Sequence, residues 1–184
     1  MKKPKLSARK LVYQDKYQRI YTQTADFGSF RKEYFVRDTG LGAGIVVSKG
    51  DSVLLVQQYR LQINGLSWEI PGGQVEDGER PEDAAVRECF EETGVQCHNI
   101  EALLFYLPGM DILQNPTHLF HSDNWTYTGG LHSPGDEIHD QAWVPLSTCM
   151  DMLAGGQIVD SKSMLALMAF SRLADTAQIS GKIP

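Results

Sequence analysis

Residues 72–95, GGQVEDGERPEDAAVRECFEETGV, decide the fold of this 184-residue chain. Two glycines open the segment, Pro81 can occupy the first position of a helix, and Gly94 can end that helix. Acidic residues directly after Pro81 are favourable at the positive end of the helix dipole. The pattern therefore predicts a loop followed by a helix over Pro81–Thr93.

Three glutamates lie close together on this helix. Glu88 and Glu92 are four residues apart and Glu91 is three residues after Glu88, so the carboxylates can point to one side. Like charges at this spacing repel unless protonation or a cation relieves them. Oxygen ligands without histidine or thiolate favour Mg²⁺ or Mn²⁺, and Mg²⁺ commonly lies between carboxylates and substrate phosphates. The alternative is a solvated acidic helix with ordinary i,i+4 pairs.

Four neighbouring residues are suited to support this cluster. Arg87 can hold a carboxylate through a bidentate fork, and Glu79 can reach back across the loop to Arg87. Gly72 and Gly73 allow a sharp turn before the helix and leave a carbonyl free to face a metal ion.

The sequence before the motif favours β-strands. Alternating apolar and polar residues predict strands over Leu11–Tyr21 and Ser29–Arg37, joined by a turn at Asp26–Gly28. Two shorter apolar runs predict a second hairpin, with strands at Ala43–Val47 and Ser52–Gln57.

The sequence after the motif predicts further strands and two helices. The strands are expected at Ile100–Tyr106, Thr117–Ser122 and Asp140–Val144, and the helices at Ser147–Leu153 and Ser161–Ala174. Strands flanked by helices predict the α/β (α+β) class, as an α-β-α sandwich around a mixed β-sheet. We expect residues 1–40 to form an N-terminal antiparallel strand extension and residues 41–184 to form the main domain.

Composition and charge exclude several classes of protein. The chain is 42% hydrophobic and 22% charged, as in ordinary globular proteins. Its formal charge of −6 disfavours a basic surface for a nucleic acid polymer. No apolar run is long enough for a membrane helix, and the basic first ten residues are interpreted as a solvated arm rather than a signal peptide. Three cysteines without metal-binding spacing predict a reducing compartment, by default the cytoplasm.

The motif resembles the signature of the Nudix hydrolases, G-x5-E-x7-R-E-U-x-E-E-x-G-U with U aliphatic. The match runs from Gly73 to Val95 and departs only at Cys89, a small apolar residue in the first U position. The resemblance implies the Nudix α-β-α fold, a Mg²⁺ or Mn²⁺ cofactor, and a nucleoside diphosphate linked to another moiety as substrate.

The same resemblance assigns roles to the motif residues. Glu88 and Glu92 would be the principal metal ligands, and Glu91 would be an additional ligand or would act through water. The carbonyl of Gly72 would be a further ligand. Gly73, Glu79 and Arg87 would support the motif.

Residues Gln57–Gly73, QQYRLQINGLSWEIPGG, are similar to the corresponding segment of ADP-ribose and nucleoside-diphosphate-sugar pyrophosphatases. In that subgroup Arg60 would contact the diphosphate or terminal sugar, and Glu69 would contact substrate or support the metal site. The alternative for each is an ion pair without contact to substrate. Gly109, after Leu107 and Pro108, lies roughly where the subgroup has a Ser-Pro-Gly turn that contacts substrate.

The subgroup also implies a general base and a dimer. A glutamate on a loop before the last strand of the sheet would be the base, which indicates Glu137 first and Asp136 second. His139 is the alternative base, although a solvated histidine is the more common case. The N-terminal strands would pair across a homodimer; the alternative is a hairpin packed on its own subunit.

The expected activity is metal-dependent hydrolysis of ADP-ribose or a nucleoside-diphosphate sugar to a nucleoside monophosphate and a sugar phosphate. One alternative is another Nudix pyrophosphohydrolase that acts on a nucleoside triphosphate or a dinucleotide. The other is a non-catalytic Nudix module that only binds a nucleotide, which would have no need for three mutually repelling glutamates.

Overall fold

The computed structural model describes residues 3–129 and 138–179, with side chains described as far as residue 174. In this part of the chain the elements are β1 (Lys5–Leu6), β2 (Lys10–Gln14), β3 (Arg19–Asp26), β4 (Arg31–Asp38), β5 (Gly42–Lys49), β6 (Ser52–Arg60), β7 (Gly65–Glu69), α1 (Pro81–Thr93), β8 (Val95–His98), β9 (Glu101–Tyr106), β10 (Leu113–Gln114), β11 (Thr117–Ser122), β12 (Asn124–Tyr127), β13 (Ile138–Pro145), α2 (Leu146–Ala154) and α3 (Ser161–Ile179).

The chain forms two compact units. Among the described residues, the first contains 3–41 and Tyr106–Pro116, and the second contains Gly42–Phe105, 117–129 and 138–179. The sequence gives no reason to group Tyr106–Pro116 with the N-terminal strands, because the parallel pairing of β10 with β4 that joins them is not local.

The first unit is an antiparallel extension with one added parallel strand. Strands β3 and β4 pair along their full length, β1 and β2 pair with β3, and β10 adds to β4. The predicted strand Leu11–Tyr21 is instead divided between β2 and β3. The Asp15 carboxylate accepts hydrogen bonds from the backbone N–H groups of Tyr17 and Gln18, which stabilises a turn between them.

The second unit contains the predicted mixed sheet. Its order is β13-β6-β5-β11-β9, with β7 also paired to β6. Strands β5 and β11 are parallel, whereas β6 pairs antiparallel with β5, β7 and β13. A separate two-stranded sheet joins β8 to β12.

Side chains alternate between the two faces of β5. Ala43, Ile45 and Val47 pack into the same buried cluster as Ala84, Ala85 and Cys89 of α1. Gly44 faces the other way, where an added Cβ would contact Lys162 at the start of α3. Helices α1 and α3 therefore cover opposite faces, which confirms the predicted α-β-α sandwich.

Helix α1 has the bounds that the sequence predicts. Gly94 ends it at φ 72°, and the Gly94 N–H donates to the carbonyl of Phe90 at 2.8 Å. Cys89, at the position where the motif departs from the signature, is fully buried. A small apolar residue therefore packs into the core at this position, as an aliphatic residue would.

The remaining sequence predictions differ from the structure mainly at short strands. Strands β7, β8 and β12, each of four or five residues, are not predicted from the sequence pattern. Helix α3 continues to Ile179, beyond the predicted end at Ala174. In the described ranges, no helix has the length and apolar character needed to cross a membrane.

Candidate active site

Two glycines allow the loop before α1 to lie against β5 and Glu88. The N–H of Ala43 donates to the Gly73 carbonyl at 2.9 Å. Gly72 has φ 148°, and a Cβ there would overlap the backbone of Ala43 and Gly44. At Gly73 a Cβ would overlap the Glu88 carboxylate. Both positions therefore require glycine for close approach, and Gly72 also requires it for its conformation.

Arg87 binds carboxylates on both sides of the motif. Its Nε and Nη2 donate to Glu79 at 2.9 and 3.0 Å, and Nη2 also donates to the Gln74 carbonyl at 3.0 Å. Its Nη1 donates to Glu88 at 2.9 Å and to Glu91 at 3.2 Å. The hydrogen bonds from Arg87 lower the pKa of Glu79. Arg87 therefore links Glu79 to Glu88 and holds Glu91 on the exposed side of the helix.

Glu92 is held by two donors in a largely buried position. The Gly72 N–H donates to its Oε2 at 2.9 Å, and the Gln58 side-chain amide donates to its Oε1 at 3.2 Å. Burial raises the pKa of Glu92 from 4.5 to about 7, against the opposing effect of Lys162. Burial also raises the pKa of Glu88, although Arg87 opposes that shift. The two carboxylates therefore lie where a cation would stabilise their ionised forms.

A lysine ammonium already lies at this position. The Nζ of Lys162 donates to the Gly72 carbonyl at 2.7 Å, and its charge lowers the pKa of both Glu88 and Glu92. The start of α3 is fixed nearby, because the backbone N–H of Ile70 donates to Ser163 Oγ at 2.9 Å. The Gly72 carbonyl, which the sequence predicts as a metal ligand, thus binds a positive charge that also acts on Glu88 and Glu92.

The oxygen set fits a divalent cation only when the backbone is included. Within residues 3–129 and 138–179, no three Asp, Glu, His or Cys side chains converge closely enough to hold an ion by themselves. Glu88, Glu92 and the Gly72 carbonyl are the oxygens that share a positive neighbour in Lys162. Two carboxylates with a carbonyl are hard ligands of the kind that Mg²⁺ and Mn²⁺ accept.

Arg60 and Glu69 form a bidentate ion pair on adjacent strands. Arg60 Nε lies 2.7 Å from Glu69 Oε1, and Arg60 Nη2 lies 2.6 Å from Glu69 Oε2. The Glu69 side chain is almost fully buried, so the pair fixes the orientation of the guanidinium. The geometry is that of the ion-pair alternative, and contact of either residue with substrate stays a prediction.

Three other residues that the sequence predicts for the site stay predictions. Gly109 lies in the first unit, has φ 58°, and accepts a hydrogen bond from the Leu113 N–H at 2.9 Å. Its contact with substrate stays a prediction. Asp136 and Glu137, the candidates for the general base, lie outside the described residues.

Two residues of this site, Gln58 and Lys162, are not predicted from the sequence. Gln58 is buried and lies on the same strand face as Leu54 and Val56. A polar residue at an inward position of this strand was the sequence feature that could have indicated its role in the site. Lys162 lies in the first turn of α3, where a positive charge opposes the helix dipole. Both residues depart from the local preference of their strand or helix, and such departures in a sequence can indicate a functional role.

Comparison with known proteins finds a matching family model and several similar proteins. The model of the NUDIX domain matches residues 38–166. A CMP-5'-(N-acetyl-N-hydroxy-3-aminopropyl)phosphonate hydrolase from Streptomyces rubellomurinus is 30% identical over 84% of this chain and 74% of its own length. An ADP-ribose pyrophosphatase from Bacillus subtilis is 23% identical over 89% of this chain and 90% of its own length.

A solved structure supports the fold. The crystal structure of an ADP compounds hydrolase superposes with a TM-score of 0.81, covering 100% of this chain and 98% of the other at 16% identity. At that identity the likeness concerns the fold. Together with the sequence relatives, it confirms the resemblance that the motif and the segment before it indicate.

Proposed function

The chain belongs to the Nudix family of hydrolases, and we propose that it hydrolyses the diphosphate bond of ADP-ribose or a nucleoside-diphosphate sugar. The products would be a nucleoside monophosphate and a sugar phosphate. The observation that carries the proposal is the geometry of the motif, in which the Gly72 N–H donates to Glu92, the Glu88 carboxylate lies against Gly73, and the Gly72 carbonyl accepts a hydrogen bond from the Lys162 ammonium. Similarity to ADP-ribose pyrophosphatases favours this substrate class.

Nudix hydrolases generally use divalent metal ions, and we propose Mg²⁺ or Mn²⁺ for this chain. Glu88, Glu92 and the Gly72 carbonyl would hold the ion, with Glu91 as an additional ligand if it releases Arg87. Bound there, the ion would neutralise phosphate charge and increase the acidity of a coordinated water.

The other residues of the site would position groups. Gln58 and the Gly72 N–H fix the two oxygens of Glu92, while Arg87 fixes one oxygen of Glu88. Glu69 would hold the guanidinium of Arg60 towards the diphosphate or the sugar.

Predicted residues from two other parts of the chain would complete the reaction. Glu137, with Asp136 second, would accept the proton of the attacking water. Gly109 would contact the substrate. Both assignments come from the family resemblance.

A hydrolysis screen tests the reaction. ADP-ribose, several nucleoside-diphosphate sugars, dinucleotides and nucleoside triphosphates would be incubated with Mg²⁺ or Mn²⁺ in H₂¹⁸O. We expect ¹⁸O in one of two phosphomonoesters, without inorganic pyrophosphate. Release of pyrophosphate would favour the nucleoside triphosphate alternative, and tight nucleotide binding without turnover would favour the non-catalytic one.

A pair of variants tests the site. Glu92→Gln should lose most of kcat because it removes one metal-binding charge, whereas Glu82→Gln makes the same change in the first turn of α1 and should retain activity. Full activity of a folded Glu92→Gln protein would contradict the assignment of the ligands.

One relative favours a second candidate substrate. The protein from Streptomyces rubellomurinus is named for hydrolysis of a CMP-phosphonate conjugate. A nucleoside monophosphate joined to a phosphonate has the same kind of phosphorus anhydride, so such a compound belongs in the screen. Faster turnover of this compound than of ADP-ribose would favour the second candidate.

We propose that the protein is a cytoplasmic homodimer. All five residues of β2 are exposed, including Leu11, Val12 and Tyr13, and β4 exposes Phe35. Apolar residues exposed together on a strand are typical of interaction surfaces. Light scattering should give twice the mass of 20.5 kDa, and Val12→Glu should shift the protein towards the monomer. A wild-type monomer would favour the hairpin packed on its own subunit.

A further inference from the structure

Lys162 donates to one of the oxygens that the proposed function assigns to the metal ion, the carbonyl of Gly72. Its Nζ lies 2.7 Å from the carbonyl oxygen of Gly72, and its charge acts on both Glu88 and Glu92. The side chain reaches this position along Gly44, where an added Cβ would lie 3.1 Å from the Lys162 Cδ. Because Gly44 has no side chain, it leaves the space through which the Lys162 side chain passes.

The start of α3 is built to deliver this ammonium. Asp160 Oδ2 accepts hydrogen bonds from the N–H and the hydroxyl of Ser163 at 2.9 and 2.8 Å. Ser163 is fully buried and accepts the Ile70 N–H, two residues before Gly72. A positive charge in the first turn of a helix is unfavourable for the helix dipole. The hydrogen bond to the Gly72 carbonyl and the negative charges of Glu88 and Glu92 offset this cost for Lys162.

The ammonium and a divalent ion cannot both stay on the Gly72 carbonyl oxygen without strong repulsion. A Mg²⁺–oxygen bond is about 2.1 Å long. Added to the 2.7 Å hydrogen bond of Lys162, it places the two cations no more than about 5 Å apart. Lysine has a flexible four-carbon stem, and Lys162 is only half-buried, so its ammonium can move to solvent.

We propose that Lys162 is the counter-cation of the metal-free site, and that a divalent ion must displace it from the Gly72 carbonyl in order to bind. The inference rests on the metal site of the proposed function. It makes Lys162 a determinant of metal affinity, because every binding event includes the loss of a charge-assisted hydrogen bond.

The test compares Mn²⁺ binding by calorimetry in the EDTA-treated protein at pH 8 without substrate. Lys162→Met keeps the length of the stem and removes the charge, and we expect it to bind Mn²⁺ about tenfold more tightly than wild type. Lys49→Met is the matched control. It makes the same change in the same unit, where Lys49 lies 5.8 Å from the centre of the Trp143 ring, and its affinity should equal that of wild type.

A second measurement compares thermal melting of the metal-free proteins. Lys162→Met should melt below wild type, because the carboxylates lose their counter-charge, and saturating Mn²⁺ should remove the difference. Lys162→Gln serves the same purpose if the methionine variant does not fold.

The outcomes separate this inference from the proposed function. Mn²⁺ binding by wild type with equal or weaker binding by Lys162→Met would overturn the inference alone. Weaker binding would instead make Lys162 a residue that positions the carbonyl. No Mn²⁺ binding by either protein would overturn the metal site and the inference with it. Binding only after the lysine is removed would support the inference strongly.

Discussion

Replacing Glu92 with glutamine should stabilise the metal-free protein at pH 8. The folded protein raises the pKa of Glu92 from 4.5 to about 7, chiefly because the carboxylate is buried. Between these two values the folded state binds more protons than the unfolded state, so the free energy of unfolding falls as pH rises through this window. Above pH 7 the full penalty of about 3 kcal/mol is present.

Glutamine fits the site without ionising. Its amide oxygen can accept the hydrogen bond from the Gly72 N–H, and its amino group can donate to Gln58 once that amide turns over. Glu92→Gln should therefore exceed wild type in unfolding free energy by about 3 kcal/mol at pH 8, and match it within about 1 kcal/mol at pH 4.5. Added Mn²⁺ should stabilise wild type but not the variant.

The assay is urea unfolding of EDTA-treated protein at the two pH values. Glu82→Gln is the control, and it should cost up to about 0.5 kcal/mol at both, because an acidic residue in the first turn favours the helix. An equal gain for Glu92→Gln at pH 4.5 and pH 8, or no gain at pH 8, would refute the link between burial of this carboxylate and stability.

Three further substitutions test the framework of the site. Gly72→Ala should cost more than 3 kcal/mol in urea unfolding, because its Cβ would overlap the backbone of β5, whereas Gly78→Ala, with open space around φ 85°, should cost about 1–2 kcal/mol. Arg87→Lys should cost about 2 kcal/mol, because it loses the fork that binds Glu79, and a change below 0.5 kcal/mol would contradict that role. Cys89→Val should change stability by less than 1.5 kcal/mol and leave kcat unaltered, and a large loss of activity would show that the thiol does more than pack.

The parts of the fold that the sequence predicts are those determined locally. Helix α1 has its predicted bounds because Pro81 and Gly94 act on adjacent backbone. The ion pair of Glu79 with Arg87 was also accessible, since both lie in one loop and helix. In contrast, β8 and β12 are short and pair with one another across about 26 residues, so neither has enough internal pattern to be recognised.

The parts of the site that the sequence does not predict depend on tertiary contacts. Arg60 pairs with Gly65 and Glu69 pairs with Val56 along the β6–β7 hairpin, and the two side chains meet only because the long arginine side chain reaches along the same face of the hairpin. Lys162 lies 90 residues after Gly72 in the sequence, and the two residues meet only because α3 docks at Ile70. Neither contact has a local pattern that a single sequence can reveal.

The two cations of the site bring opposite properties to the same carboxylates. Arg87 is planar, permanently charged and fixed by two bonds to Glu79, so it can hold Glu88 whether or not a metal ion is bound. Lys162 makes a single bond through a flexible stem and is the cation that can leave. The permanent cation is thus encoded within the motif, whereas the exchangeable one arrives through packing of α3. On the proposed mechanism, the metal affinity of the site therefore depends on whether α3 is docked, although none of the proposed ligands lies on that helix.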